Sequence, residues 1–135
     1  MFQYAAKVVC GKSDGSVVAP GEYWTAINVH NPNTYTIRIS KRVSIGYPGE
    51  KAGPVSPFFR ASLGPAQSLE IDRQDIFKHA GVDNFLKGFV EIESSNGELD
   101  VVAVYTAAGA NGDVVTFHTE RVPVRQQNIG ESDAP

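Results

Sequence analysis

Between Tyr35 and Ile45 apolar and polar side chains take turns along the chain. Tyr35, Ile37, Ile39, Val43 and Ile45 fall on one parity, and Thr36, Arg38, Ser40, Arg42 and Ser44 on the other. A period of two puts one set on each face of a pleated strand, and a helix cannot produce it. This stretch therefore commits the chain to a sheet with one face buried. Lys41 breaks the apolar parity, so a bulge, a strand end or an edge is expected there.

Other segments carry the same signal more weakly. Tyr4, Ala6 and Val8 oppose Lys7 and Val9. Tyr23, Thr25, Ile27 and Val29 oppose Trp24, Ala26, Asn28 and His30. Leu69 and Ile71 alternate with Ser68, Glu70 and Asp72. Asn31-Pro32-Asn33-Thr34 reads as a turn closing a hairpin from Glu22 to Ser40, because Pro fixes φ and Asn tolerates left-handed backbone. Ser95-Asn96-Gly97-Glu98 reads as a tight turn closing a second hairpin, Leu86–Ser94 with Leu99–Ala107. Val101 to Val104 are apolar on both parities, as in a central strand. Tyr47–Pro57 is rich in Pro and Gly and reads as a loop, and Ala110-Asn111-Gly112-Asp113 reads as a turn before a last strand, Val114–Val122.

One short helix fits between strands. Asp72 is placed to cap it, Asp75 favours its first turn, Ile76, Phe77 and Ala80 form a stripe, and Gly81 ends it. The expected architecture is all-β: a single antiparallel β-sandwich of about seven or eight strands with a crossover helix near 73–80. A closed barrel is the alternative. The sandwich domain is expected over 1–123, with a polar, mobile tail over 124–135.

Composition excludes several function classes. The net charge is −3 over 135 residues, and no basic stripe suggests nucleic acid; Arg38, Lys41 and Arg42 read as a solvated strand face. The single cysteine, Cys10, rules out an intrachain disulfide or a cysteine-based zinc site and reads as a small buried hydrophobe. No apolar run is long enough for a membrane helix. The N-terminal MFQYAAKVVCG lacks the pattern of a signal peptide, so a cytoplasmic location is expected for a full-length chain, and secretion if a leader has been removed.

Chemistry is sparse. His30, His79 and His118 stand in no metal-ligand spacing, and no nucleophile elbow, phosphate loop or dinucleotide fingerprint occurs. No cofactor, metal site or catalytic set is expected. Glu91, Glu93, Glu98 and Asp100 lie close in sequence; such carboxylates serve glycosidases when they face each other, but they also mark an ordinary solvated sheet face. Trp24, with Tyr23 and Tyr35, is the aromatic group to watch, either as core or as a stacking and docking surface. Tyr23, Trp24, Tyr35, Arg38 and Arg42 form the candidate interaction surface.

The segments YAAKVVCG, TAINVHNP, KGFVEIES and ELDVVAVYTA, followed by ERVPVR, resemble those of a family of small uncharacterised bacterial β-domain proteins, over Tyr4 to about Arg125. The order of elements is also similar to that of the sensory rhodopsin transducer proteins, small β-sandwich oligomers that bind a membrane photoreceptor. That resemblance implies a non-enzymatic adaptor working as an oligomer, and transfers no binding residue. The leading expectation is accordingly a non-catalytic interaction or assembly module, self-associating through strand Phe2–Cys10 or the tail after Pro123. A carbohydrate-binding module built on Trp24 is the alternative, and a glycoside-hydrolysing enzyme the third. Other protein subunits, most simply copies of itself, are the expected partners; carbohydrate is a further one.

Overall fold

A computed structural model describes residues 1–109 and 111–126. The elements run β1 (Phe2–Ser13), β2 (Gly21–His30), β3 (Ile37–Tyr47), β4 (Lys51–Val55), β5 (Phe59–Leu63), β6 (Ser68–Ile71), α1 (Arg73–Ala80), β7 (Phe85–Ser94), β8 (Asp100–Ala108), β9 (Val114–Arg121) and β10 (Arg125–Gln126). The described strands join into one antiparallel sheet of ten, ordered β4-β3-β7-β1-β2-β8-β9, with β5 on β3, β6 on β2 and β10 on β1. The sheet folds over into a sandwich. One layer is β3, β7 and β1 with β4, β5 and β10; the other is β2, β8 and β9 with β6.

The layers meet at a corner on β1. Phe2 to Gly11 pair with β7, whereas Gly11 to Ser13 pair with the start of β2. Gly11 belongs to both registers and adopts φ +110°, and a Cβ there would lie 2.0 Å from the Asn84 carbonyl oxygen, so only glycine fits the corner. Beyond it, the second edge of β1 draws its partners from side chains. The Thr25 hydroxyl accepts from the Val9 N–H at 2.9 Å and donates to the Val9 carbonyl at 3.0 Å. The Tyr105 hydroxyl donates to the Lys7 carbonyl at 2.7 Å. Strand β1 is thus interior, which removes Phe2–Cys10 as an edge for adding a neighbour's strand.

Both expected hairpins are absent. β2 pairs with β1, β6 and β8, while β3 pairs with β4, β5 and β7, so the Asn31–Thr34 connection crosses from one layer to the other. The Ser95–Glu98 connection does the same between β7 and β8. Asn31 is fully buried and acts as a hub rather than a turn residue. Its amide donates to the carbonyls of Tyr35, Leu63 and Gly64 at 2.9, 3.0 and 3.0 Å, and its Oδ1 accepts from the Asn33 N–H at 2.9 Å. Asn33 then donates to the Glu98 carbonyl, and Asn96 to the Thr36 carbonyl, so the two crossovers staple each other at one end of the sandwich. Gly97 is needed for space: a Cβ there would stand 2.5 Å from the buried Ile37 Cδ1.

The alternating parities land as expected, except that β3 starts at Ile37 and leaves Tyr35 exposed before it. Tyr4, Ala6, Val8 and Cys10 face Ile27, Val29, Val101 and Ala103 across the layers, with Ile37, Ile39, Val43, Val90 and Ile92 completing the core. Cys10 is buried, and that burial pushes its thiol above the ordinary range. The helix carries the expected caps: the Asp72 carboxylate accepts from the Asp75 N–H and the Asp75 carboxylate from the Asp72 N–H, both at 3.0 Å, and Gly81 closes it in the left-handed region. It carries the chain from β6 in one layer to β7 in the other, with Ile76 in the core.

Three further expectations change. Lys41 makes no bulge, because β3 runs straight through it. What changes nearby is the partner: β5 pairing ends at Lys41, and β4 pairing starts at Ser44, with the register shift between Ser44 and Gly46. Half of Tyr47–Pro57 is strand β4, where Pro54 is tolerated at a sheet edge. The chain past Pro123 first pairs Arg125 and Gln126 with β1; 127–135 of the expected tail, and Ala110 of the expected turn, lie outside the described residues.

Replacing Asn31 with Ala takes a donor from three carbonyls at once, of which Gly64's keeps a further one, the Gln67 N–H at 3.1 Å, so a loss of about 2 kcal/mol or more is expected. Urea denaturation checks it, and a loss below about 1 kcal/mol would contradict the hub role.

Candidate interaction surface

The two layers present unlike outer faces. On the first, the outward residues of β1, β3 and β7 are mostly charged, Lys7, Arg42, Glu91, Glu93 and Lys87, around an exposed Phe89 whose ring lies under Lys7. The Arg42 Nε–Glu91 contact is 2.9 Å, the Arg42 guanidinium lies 4.4 Å from the Phe58 ring centre, and Arg125 stands 3.9 Å from Glu91. Glu91 is thus held by two arginines, with the Gln3 amide donating to it at 3.3 Å. Glu93 shares this face, whereas Glu98 and Asp100 belong to the connection and strand of the other layer, where Asp100 meets Arg121 at 3.2 Å. The carboxylates do not converge on a common cleft.

The outer face of β2, β8 and β9 mixes side chains, with Trp24, Ala26, Val102, Val104 and Phe117 set among Asn28, His30, Thr106, Thr119 and Arg121. Register places Trp24 beside Thr106 and Thr106 beside Phe117, and in the next row Ala26, Val104 and Thr119. Val102 and Val104 are apolar on the outer side of a strand with neighbours on both edges. β8 is central in pairing, yet its outer face is left only half-covered. β9 is the edge of this layer, and every residue of it is exposed; Val114, Val115 and Phe117 retain 75%, 67% and 68% of their accessible surface. On its inner side the Tyr105 and His118 rings stack at 6.1 Å.

The other terminal strand is blunted. β4 carries Lys51, Gly53, Pro54 and a register shift, devices that prevent strand addition. Strand β9, reading VVTFHTER, contains no proline, and its one register shift lies at its start, between Ala107 and Ala108 of β8.

The sequence-nominated residues are dispersed over the molecule. Trp24 lies on the outer face at 36% exposure, with the Arg73 guanidinium 4.8 Å from its ring centre; Arg73 is itself held by Glu22 at 2.8 Å. Tyr23 points to the opposite side of β2, its hydroxyl donating to the Ala19 carbonyl. Tyr35 is exposed in the β2–β3 crossover. Arg38 and Arg42 share the outer face of β3 in the other layer. Val114, Val115 and Phe117 were not among the nominated residues; the signal was an apolar-aromatic strand beside the Asn111–Asp113 turn, read only as a last strand.

A further cluster lies under α1. Lys41 is half-buried and faces Asp75, burial lowers its basicity, and His79 stacks on Phe59 at 3.9 Å with its own basicity lowered first by burial and then by Lys41. His79 Nδ1 is buried and without a hydrogen-bond partner. Among the described residues no group of His, Cys, Asp and Glu is disposed to hold a metal ion, and no helix is long and apolar enough to cross a membrane.

No protein-family model and no curated protein matches the chain. A solved structure from Thermotoga maritima, titled Thermotoga maritima 1070, superposes with a TM-score of 0.62, covering 90% of this chain and 91% of that one at 13% identity. That likeness shows the fold alone.

Trp24 is the only tryptophan, so its emission reports this face. In dilute protein it is expected to be quenched readily by acrylamide. Resistance to the quencher would place the ring inside and contradict the exposed face.

Proposed function

We propose that the protein is a non-catalytic assembly module whose copies join through the free edge of β9. The observation that supports this most is a fully exposed edge strand with Val114, Val115 and Phe117 bare, bordering a partly apolar outer face, opposite a layer whose terminal strand is blunted. A free edge of this length, about 26 Å at 3.3 Å per residue, offers a row of main-chain donors and acceptors with no strand beyond it among the described residues. A second copy satisfies it by antiparallel pairing. A two-fold axis through Phe117 sets that ring opposite its own copy, with Val115 opposite Thr119, so both outer faces stay on one side of a continuous sheet.

A sugar-stacking platform is the weaker reading, because Arg73 already lies over the Trp24 ring and Tyr23 turns away from it. A glycosidase reading gains no support from Glu91, which is neutralised by two arginines.

Light scattering coupled to size exclusion tests the proposal. A dimer is expected at micromolar concentration. The exposed pair of substitutions Val115→Lys and Phe117→Glu is expected to give a folded monomer. A wild-type protein that stays monomeric at all accessible concentrations, or a dimer indifferent to both substitutions, would refute it.

A further inference from the structure

Of the six arginines of the chain, four have an acidic partner: Arg42, Arg73, Arg121 and Arg125. The remaining two, Arg38 and Arg60, have no ion pair or hydrogen bond among the described residues, and both line the same recess of about 630 Å³. Register explains how they come together. On the β3–β5 ladder Arg38 lies opposite Ser62, and Ser40 opposite Arg60. The four side chains therefore form a checkerboard, with the arginines on one diagonal, about 7–8 Å apart at their backbones, and hydroxyls on the other. Across β3 from Arg60, Ser40 is also opposite Glu93, which has no cationic partner within ion-pair distance among the described residues.

Two like charges on a diagonal repel, and here no protein carboxylate lies between them. We infer that the recess binds a small phosphomonoester carrying hydroxyl groups, its phosphoryl oxygens spanning Arg38 and Arg60 and its hydroxyls reaching Glu93. Two guanidinium forks and two serine hydroxyls present more donors than one planar carboxylate can accept, but they match the three terminal oxygens of a phosphoryl group. Glu93 is an acceptor on the same wall. It disfavours a bare dianion and favours a ligand that brings its own hydroxyl donors. The rim is fixed in advance: Asn96 donates to the Thr36 carbonyl at 3.0 Å, and Ser94 to the Gly97 carbonyl at 2.8 Å. The recess lies on the charged layer, away from β9, so it does not depend on how copies assemble.

Calorimetric titration of the full chain with inorganic phosphate, glycerol phosphate, glycerol and succinate tests the assignment. Saturable binding of glycerol phosphate is expected, tighter than inorganic phosphate, with no binding of glycerol and markedly weaker binding of succinate. Arg38→Gln and Arg60→Gln are expected each to weaken glycerol phosphate about tenfold or more. Glu93→Gln should erase the preference over inorganic phosphate without weakening phosphate itself. Both arginines are at the surface, and circular dichroism checks that the variants fold. Absence of saturable phosphoester binding, affinity indifferent to both arginine substitutions, or succinate binding as tight as glycerol phosphate would each overturn the proposal.

Discussion

The buried amide of Asn31 is the contact on which the rest of this sandwich depends. A chain that leaves one layer for the other abandons its ladder and must satisfy several carbonyls away from water, each at a cost comparable to a lost hydrogen bond. Asn31 does this for Tyr35, Leu63 and Gly64 together. It also orients Asn33, which reaches the second crossover at Glu98. With both crossovers locked at one end and the Gly11 corner fixed on one side, the order of strands has little freedom left. A consequence is that β9 is carried to the end of its layer, with no described strand beyond it.

The same topology separates two surfaces of different character. On the layer of β1, β3 and β7, Arg42 and Arg125 hold Glu91, whereas Arg38 and Arg60 have no acidic partner among the described residues. The layer of β2, β8 and β9 shows water Trp24, Val102, Val104, Val115 and Phe117, bounded by a strand whose outer edge has no partner among the described residues. Large exposed apolar surface next to an open edge is costly for an isolated domain and is commonly covered by a partner. Copies of the same chain offer the matching edge.

Strand faces could be read from the sequence because alternation is a local property. Tyr4, Ile27 and Ile39 all fall on the expected core parity, and the caps of α1 follow from Asp72, Asp75 and Gly81. Strand partners could not be read. Asn31–Thr34 and Asn96-Gly97 carry hairpin signals, yet Asn31 serves three carbonyls, two of them far along the chain, and Gly97 makes room for Ile37. Neither requirement leaves a trace in local spacing. The diagonal placement of Arg38 and Arg60 was hidden for a related reason: their neighbourhood exists only once the β3–β5 register is known. Val101 to Val104, apolar on both parities, pointed correctly to a strand with two neighbours but not to the half-covered outer face on which Val102 and Val104 lie.

Hydrogen exchange measured across a range of protein concentrations tests assembly through β9 most directly. Amides of β9 are expected to gain protection as concentration rises, while those of β4, the blunted edge, stay unchanged. Exchange of β9 that is the same at every concentration, or protection that appears on β4 instead, would contradict it.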